Sequence, residues 1–330
     1  MKKLLAGLLA VLMLITAASA EVFIRVDRDN TEAWKNELDN VRFLPEGRMS
    51  GSAQFSEAQF RTLAGQLRER SGQVWIVDCR METHGLVNGI AVSWCSENNA
   101  ANLGRSEEEI EAEEEGLSGL TGTDITAYTA VNDLPAEDMA LSVETWQTER
   151  QLVESEGFGY LRLACPDHCW PPADVIDRFI AFAGGLDSDA WLHFHCQAGS
   201  GRTGAFMTLF AMLQQPDATV EEILQRQAET GSGNLLERSA HEKSPAQKER
   251  CVLVRAAYRY IRENRASGYA LPWSSWLEAH SSAVTLAVGD RLEGSCFSSD
   301  PLIVSDALEA LEPGSATVLT DDGVIRITVE

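Results

Sequence analysis

A short apolar segment that runs directly into a glycine-rich loop constrains this 330-residue chain more than any other feature. Residues 191–196 have the pattern of a buried strand, and the loop that follows contains glycines at positions 199, 201 and 204. A helical pattern begins at about residue 203. A strand, a tight turn and a helix in this order predict an α/β fold.

Two other apolar segments, residues 73–79 and 159–165, have the same character, and each follows a helical pattern. Capping-box signatures at Ser56 and Thr148 predict where two of the helices begin. A third helix is predicted over residues 173–183. The alternation of helix and strand predicts a central, mainly parallel sheet.

The N-terminus has the pattern of a signal peptide. Lys2 and Lys3 precede an apolar run, and small residues at positions 18–20 precede Glu21. The run is shorter than the roughly 20 residues that a membrane span requires, and no other stretch qualifies. We therefore expect residues 1–20 to be removed and the mature protein to be secreted or periplasmic, without a membrane span.

The charge balance limits the possible partners. The chain has 27 basic and 50 acidic residues, so its formal charge is 27 − 50 = −23. Such a surface repels nucleic acids and anionic membranes, and neither is an expected partner. With 44% hydrophobic residues the chain can build a large core, and its length predicts two domains or one domain with an insertion.

The loop between Cys196 and Arg202 has the composition of an oxyanion site. Five intervening residues allow successive backbone amides to surround a tetrahedral anion, and the glycines allow close approach. The helix N-terminus favours both a phosphate and a thiolate, so Cys196 is predicted to be a nucleophile. Arg202 is predicted to hold two phosphate oxygens, Thr203 to donate its hydroxyl to the sulfur, and His195 to brace the loop. The residues predicted to line the anion are Gln197, Ala198, Gly199, Ser200 and Gly201.

An alternative interpretation assigns the histidines of this strand to a metal ion. His193 and His195 lie on one face of the predicted strand. With Cys196 or His168 they have the residue types of a transition-metal site. A metal ion there would quench the nucleophile, so we favour packing or hydrogen bonding for His193 and expect no metal and no cofactor.

The loop after the second predicted strand supplies a candidate general acid. An alkoxide leaves far more readily once an acid protonates it, so a cysteine phosphatase needs a proton donor. Asp167 lies between the predicted strand 159–165 and the predicted helix 173–183. Because the ends of parallel strands share one sheet edge, Asp167 is expected near Cys196. The next residue, His168, is predicted to donate to a phosphate.

Several segments together resemble the protein-tyrosine-phosphatase-like (PTP-like) phytases, also called cysteine phytases. Residues 195–204 match the active-site loop of the wider protein tyrosine phosphatase superfamily. Asp167-His168 followed by Trp170-Pro171, together with residues 190–196, is similar to the narrower phytase family. The resemblance covers about residues 40–280, and its further segments are residues 50–56, 84–94 and 268–277.

The resemblance implies that residues 21–280 form a PTP-like α/β domain, with residues 22–45 and 86–140 in or near a small partial β-barrel. The implied activity is stepwise removal of phosphates from myo-inositol hexakisphosphate and lower inositol polyphosphates, without a metal. Cys196 would form a phosphocysteine, Arg202 would clamp the phosphate and Asp167 would be the general acid. The residues that match the family's contacts to other substrate phosphates are Arg42, His168, Lys243 and Arg250.

Some positions depart from the family's pattern, and two of them lie in the active-site loop. Outside the loop, Gln247 stands where some members carry a tyrosine near the substrate. The family commonly has Glu where Gln197 stands and Thr where Gly204 stands. Neither change removes a group that the chemistry requires. They leave open how many phosphates the preferred substrate carries and which is removed first.

Two regions lie outside the helix and strand alternation. An acidic run at residues 107–115 follows Ser106, and a solvated helix is favoured over a calcium site. The last segment, residues 281–330, is predicted to be β-rich because Asp321-Asp322-Gly323 separates two apolar runs in the pattern of a hairpin. Its role is not assigned.

The seven cysteines permit disulfides in an exported protein, but an odd number leaves at least one thiol over. Cys196 must stay reduced to act, and we expect it to be reversibly oxidisable with a neighbouring thiol as partner. Cys165 and Cys169 are candidates because they lie on the segment that carries Asp167. The remaining cysteines, for which sequence gives no pairing, are Cys79, Cys95, Cys251 and Cys296.

Two other functions remain open at this stage. The first is a phosphatase for phosphotyrosine or for phosphoinositides, although the loop lacks the lysines that phosphoinositide enzymes usually place there. The second is a catalytically silent module that binds phosphate or a protein partner. The joint presence of Cys196, Arg202 and Asp167 favours an enzyme, because a binding module needs the loop but not the acid.

Overall fold

The computed structural model describes residues 22–27, 37–131, 134–238 and 243–330. The predicted signal peptide, residues 1–20, lies outside the described residues. The strands are β1 (Phe23–Val26), β2 (Arg42–Leu44), β3 (Met49–Ser52), β4 (Val74–Arg80), β5 (Thr83–Val87), β6 (Ile90–Cys95), β7 (Asp124–Val131), β8 (Leu134–Ser142), β9 (Trp146–Gln147), β10 (Gly159–Cys165), β11 (Trp191–His195), β12 (Ser281–Leu286), β13 (Phe297–Ser298), β14 (Gly314–Thr320) and β15 (Gly323–Val329). The helices are α1 (Glu57–Arg68), α2 (Glu107–Gly116), α3 (Glu149–Ser155), α4 (Ala173–Gly184), α5 (Gly201–Gln214), α6 (Val220–Glu229), α7 (Pro245–Asn264) and α8 (Trp273–Ala279).

The central sheet has the strand order β10-β4-β11-β3-β2. Its first four strands are parallel, and only β2 runs antiparallel to its neighbour β3. This confirms the α/β class and the mainly parallel sheet. The apolar runs predicted from sequence form β4, β10 and β11, and Ser56 and Thr148 cap α1 and α3 with complete capping boxes.

The two faces of the central sheet bury different helices because alternate strand residues point to opposite sides. Leu192 and Phe194 belong to the larger apolar core, which includes residues of α4, α5, α7 and α8. Trp191 belongs to a second core with residues of α1 and α3. The site lies at the C-terminal edge of this sheet, where the loops after β4, β10 and β11 meet.

A six-stranded sheet, in the order β8-β7-β1-β6-β5-β9, lies beside the central one. It corresponds to the predicted barrel region, with two differences in extent. β2 at Arg42–Leu44 pairs in the central sheet, although the prediction included residues up to 45. β5 begins at Thr83 and β9 ends at Gln147, so the sheet extends beyond residues 86–140 on both sides.

The acidic run forms helix α2, as predicted, with Ser106 as its N-cap. The helix is less solvated than expected because several of its glutamates pair with arginines of the central domain. Glu114 bonds to the buried Arg162 through both carboxylate oxygens at 2.7 and 2.8 Å, and Glu107 bonds to Arg178 at 2.8 Å. These pairs attach the insertion to β10 and α4.

The C-terminal residues form a third sheet, in the order β12-β15-β14-β13, which packs on α7. β14 and β15 pair antiparallel across the predicted turn, so the hairpin is confirmed. The sheet has a small apolar core of its own, which includes Val318 and Ile327. No helix among the described residues combines the length and the apolarity that a membrane span requires.

Candidate active site

The loop after β11 is held open by hydrogen bonds to its outer side. Each carbonyl group from Gln197 to Ser200 accepts a hydrogen bond from outside the loop. The bonds are Gln54 N to Gln197 O at 3.1 Å, Asn40 Nδ2 to Ala198 O at 3.0 Å, Arg42 Nη1 to Gly199 O at 2.8 Å, and Gly233 N to Ser200 O at 3.1 Å. Because the carbonyl dipoles are directed outward, the amide groups are available on the inner side.

The amide groups from residue 197 to residue 203 donate no hydrogen bond to any other described residue. Gly199 has φ +71°, and a Cβ on it would lie 2.4 Å from the backbone nitrogen of Ala53. Only glycine fits this position, since both the backbone conformation and the space exclude a side chain. Cys196 precedes these amides and is 3% exposed, so the sulfur lies at the base of an inward-facing set of donors.

Arg202 begins the first turn of α5 and forms a two-pronged ion pair with Glu82. Its Nη1 and Nη2 donate to the two Glu82 carboxylate oxygens at 2.6 and 2.9 Å. Burial opposes ionisation of Glu82, but Arg202 and Arg80 outweigh it and hold the pKa of this carboxyl well below its usual range. The pair fixes the plane of the guanidinium group, whose Nε is buried and has no acceptor among the described residues.

Asp167 lies beside Arg202, at the sheet edge that also carries Cys196. Its Oδ2 is 3.3 Å from Arg202 Nη2 and accepts a hydrogen bond from Asn99 Nδ2 at 2.6 Å. Its Oδ1 accepts from the backbone amide of His168 at 2.9 Å. The Asp167 side chain is 21% exposed, so the carboxyl group reaches both the arginine and solvent.

His195 extends from the same strand into a buried network behind the loop. Its Nε2 lies 2.7 Å from Glu149 Oε1, and the other oxygen of Glu149 lies 3.4 Å from His84 Nε2. Burial opposes ionisation of Glu149, but the two histidines lower the pKa of this carboxyl well below its usual range. The network places His195 beside Glu149 of α3, and its role in bracing the loop stays a prediction.

His193 is fully engaged with two serines. Its Nδ1 hydrogen-bonds Ser50 Oγ at 2.9 Å and its Nε2 hydrogen-bonds Ser52 Oγ at 3.0 Å. Burial lowers the pKa of His193 well below its usual value, so the ring is neutral. Neither nitrogen is free for a metal ion, which disfavours the metal interpretation of this strand.

A different group, Asp78, His84 and Glu149, has ligand-type atoms within 4.8 Å of one another. Its carboxylates are already bonded, since Asp78 accepts from Tyr160 at 2.9 Å and Glu149 accepts from Gln54 at 2.6 Å. Burial lowers the pKa of His84, but the nearby carboxylates of Asp78, Glu114 and Glu149 together outweigh burial. The pKa of His84 is therefore raised above its usual value. The group is therefore an internal ion-pair network.

The four other predicted substrate contacts occupy different places. Arg42 is 7% exposed and lies under the loop, where it bonds Gly199 O and Ser232 Oγ. Burial lowers the pKa of Arg42 to about 10. Arg250 lies at the rim, since a Cβ on Gly201 would be 3.5 Å from its Nη1. His168 has a half-exposed side chain beside Asp167, and Lys243 is exposed just before α7.

Thr203 and the cysteines complete the surroundings of Cys196. Thr203 is buried, and its Oγ1 has no partner among the described residues. All seven cysteines are free thiols. The register that pairs His195 with Asp78 makes Cys79 the strand neighbour of Cys196. Burial raises the pKa of both Cys79 and Cys165, and the strand register adds Cys79 to the candidate oxidation partners.

Sequence reasoning did not identify Glu82, Asn99 or Glu149. Glu82 was detectable in principle, because a buried arginine in an anion site needs a fixed carboxylate and Glu82 lies in the short connection between β4 and β5. Asn99 and Glu149 carry no local signal, since their partners lie 68 and 46 positions away. They are brought to the site only by the tertiary fold.

Comparison with known proteins agrees with this geometry. The family model for PTP-like phytases, whose description names inositol hexakisphosphate, matches residues 77–214. A PTP-like phytase from Bdellovibrio bacteriovorus is 32% identical, with a TM-score of 0.65, and the match covers 78% of this chain and 94% of that one. The PTP-like myo-inositol phosphatase from Mitsuokella multacida, solved with myo-inositol-(1,3,4,5)-tetrakisphosphate, is 32% identical with a TM-score of 0.71.

Two of the relatives are much longer proteins. The Mitsuokella match covers 78% of this chain and 49% of that chain. The effector protein hopD2 of Pseudomonas syringae pv. tomato is 26% identical over 223 residues, which are 62% of this chain and 46% of that protein. This chain thus spans about half the length of each. The match to the Bdellovibrio protein is nearly complete, and the chain belongs to the PTP-like phytase family.

Proposed function

We propose that this protein is a phosphatase that removes phosphates stepwise from myo-inositol hexakisphosphate and lower inositol polyphosphates through a phosphocysteine. The observation that carries the proposal is the meeting of the Cys196 loop with Asp167 at Arg202. The family membership supports it, as does the Mitsuokella relative solved with an inositol tetrakisphosphate. A loop of inward amides alone would also suit a binding module, but the adjacent acid supplies what turnover needs.

In the first step the Cys196 thiolate attacks phosphorus as the bond to the inositol oxygen breaks. The amides of residues 197–203 and the guanidinium of Arg202 stabilise the charge that spreads over the equatorial oxygens. Protonated Asp167 gives its proton to the leaving alkoxide. The inositol leaves with one hydroxyl in place of a phosphate, and the phosphate remains on sulfur.

In the second step a water molecule attacks the phosphocysteine, and Asp167 takes its proton. The S–P bond breaks, the electron pair returns to the sulfur as a thiolate, and inorganic phosphate leaves. Thr203 is buried next to Arg202, its hydroxyl has no partner in the described part of the chain, and it can donate to the departing sulfur. No electrons are gained or lost in either step, so no redox cofactor is needed.

Basic residues favour a substrate that carries several phosphates. Arg250 stands at the rim of the loop and His168 lies half-exposed beside Asp167. Lys243 is exposed before α7, and its contact with substrate stays a prediction. A few cations inside an overall acidic protein concentrate positive potential at one place. Arg42 is bonded beneath the loop and stabilises its shape, while its contact with substrate stays a prediction.

We also propose export to the periplasm or the medium, on the basis of the pattern at residues 1–20. Fractionation of cells that express the full chain tests this. Mature protein that begins near Glu21 in the exported fraction is the expected result, and full-length protein confined to the cytosol would contradict it.

The decisive assay measures phosphate release from inositol hexakisphosphate, p-nitrophenyl phosphate and a phosphotyrosine peptide, with a chelator and a reductant present. Cys196→Ser is expected to abolish turnover, and Asp167→Asn to lower kcat for the inositol phosphate about 100-fold or more. Cys296→Ser and Asp174→Asn, both outside the site, are the matched controls and should keep wild-type activity.

The same assay separates the competing functions. Activity that is confined to the phosphotyrosine peptide would replace the inositol phosphate assignment with a protein phosphatase, a role compatible with an effector relative. Absence of activity on all three substrates would favour the silent binding module. Activity that survives in Cys196→Ser would contradict the phosphocysteine.

A further inference from the structure

The turn that follows β6 holds a buried asparagine against the predicted general acid. Asn99 Nδ2 donates to Asp167 Oδ2 at 2.6 Å. Asn99 Oδ1 in turn accepts from Arg25 Nη1 at 3.0 Å, and Arg25 Nε donates to Asp27 at 3.0 Å. An amide has one acceptor end and one donor end, so the guanidinium on one side fixes the donor end toward Asp167.

The backbone of this turn is shaped to direct Asn99 inward. Asn98 and Asn99 both have left-handed conformations, with φ of 57° and 54°. Asparagine is one of the few residues other than glycine that adopt this conformation readily. Asn98 is exposed and Asn99 is 5% exposed, so two successive residues with the same backbone strain differ in where their side chains lie.

Asp167 needs such support because its loop offers little else. Asp167 Oδ1 accepts from the backbone amide of the next residue, His168. Asp167 Oδ2 lies 3.3 Å from Arg202 Nη2. Arg202 is the group that would also bind the substrate phosphate. The bond from Asn99 is independent of the phosphate and can keep the carboxyl group in place when the guanidinium also binds the anion. A misplacement of about 1 Å can lower a rate by about 100-fold.

We propose that Asn99, oriented by Arg25, is a positioning residue for proton transfer by Asp167. The inference rests on the proposed function in taking Asp167 as the acid. It predicts an effect on only one part of the reaction, the protonation of the leaving oxygen. An inositol alkoxide requires that proton, whereas p-nitrophenolate is a weak base that departs without it.

The test compares Asn99→Gly with Asn98→Gly. Glycine suits a left-handed backbone, so both variants remove a side chain without adding strain, and only one of them removes the bond to Asp167. Asn99→Gly is expected to lower kcat on inositol hexakisphosphate about tenfold and to leave kcat on p-nitrophenyl phosphate within about twofold of wild type. Asn98→Gly should leave both within about twofold. Circular dichroism and thermal unfolding confirm that the variants are folded.

A double variant shows whether Asn99 acts through Asp167. In the Asp167→Asn background, Asn99→Gly should have no further effect on kcat, because the group that it positions is gone. A second tenfold loss in that background would overturn the proposal. Equal losses on both substrates with the single variant, or no loss on either, would overturn it as well.

Failure of the proposed function gives a different result. If wild type releases no phosphate from inositol phosphates but hydrolyses aryl phosphates, the same variants are compared on phenyl phosphate and p-nitrophenyl phosphate. The positioning role then predicts a larger loss on phenyl phosphate, whose leaving group is more basic. If wild type hydrolyses no phosphate ester, both proposals fail.

Discussion

The two accessory sheets contribute to the site in different ways. The six-stranded sheet reaches the chemistry directly, since Arg25 of β1 orients Asn99 and Glu82 lies between β4 and β5. The C-terminal sheet packs on α7 and bonds to the segment before it, and the adjoining Asp300 forms a buried ion pair with Lys248 at 2.6 Å. Lys248 is two residues from Arg250 at the rim. The first sheet thus contributes residues to the reaction centre. The second sheet supports α7, which carries Arg250 at the rim of the loop.

Among variants that test the different roles of the two sheets, Glu82→Gln is expected to have the largest effect. It removes one partner of a fully buried pair, which costs about 3–5 kcal/mol of unfolding free energy, and frees the plane of Arg202. We expect kcat/KM to fall about 100-fold or more on every substrate. Glu113→Gln is the control, because Glu113 pairs with Arg105 at an exposed position. Retained activity in Glu82→Gln would show that the first sheet is not part of the reaction centre.

Glu82→Gln also changes the acid dependence of stability. The pKa values of Glu82 and Asp27 are lowered in the folded protein, because arginines overcome the opposing effect of burial. The unfolded state therefore binds more protons, and the stabilisation is complete above a pH of about 4.5 and is lost as pH falls further. Denaturation at pH 7 and pH 3 should show a smaller loss of stability in the variant than in wild type.

Asp300→Asn tests the second sheet and should have a smaller effect. It weakens the buried pair with Lys248, so α7 loses a fixed contact beside the rim. We expect KM for inositol hexakisphosphate to rise about three- to tenfold, while kcat for p-nitrophenyl phosphate stays within about twofold. Asp306→Asn, at the half-exposed pair with Arg238, is the control. A loss of kcat on both substrates would place this sheet in the reaction centre too.

Gly204→Ala is the smallest perturbation, and it tests how firmly the segment around Ser232 is held against α5. A Cβ at Gly204 would lie 2.8 Å from the Cβ of Ser232, so the added methyl group must displace that residue. We expect a loss of about 1–3 kcal/mol in unfolding free energy, with kcat nearly unchanged. Ser232→Gly in the same chain should restore part of the stability. A neutral Gly204→Ala would mean that the segment moves freely.

The same clash explains one departure from the family pattern. The family commonly has Thr at the position of Gly204, and here Ser232 fills the neighbouring space while bonding Arg42 at 3.2 Å. A larger residue at position 204 would therefore require Ser232 to move in this structure. The sequence alone showed the substitution but not the neighbour that fills the space, because the two positions lie 28 residues apart.

Local sequence predicted the parts of the fold that depend on local physics. Apolar runs gave β4, β10 and β11, and Ser56 and Thr148 capped the helices that follow them. The placement of Asp167 at the same sheet edge as Cys196 followed from parallel strand ends. These features needed no knowledge of distant contacts.

The residues that hold the catalytic side chains in place were not predictable from local sequence. Glu82, Asn99 and Glu149 come from separate segments, and each acts by holding another residue. Arg42 has a contact that the family pattern did not indicate, since its guanidinium bonds Gly199 and Ser232 beneath the loop, and its contact with substrate stays a prediction. A basic residue in sequence does not reveal whether its charge faces the ligand or the backbone.

The outward tethering of the loop carbonyls at residues 197–200 has a consequence for selectivity. A loop whose peptide dipoles are fixed during folding needs little rearrangement when an anion binds, because the conformational entropy of the loop has already been lost. The same rigidity prevents the loop from adjusting its radius to the size of the anion. Such a loop recognises any tetrahedral oxyanion of the right size, and discrimination among phosphate esters must come from the residues at its rim.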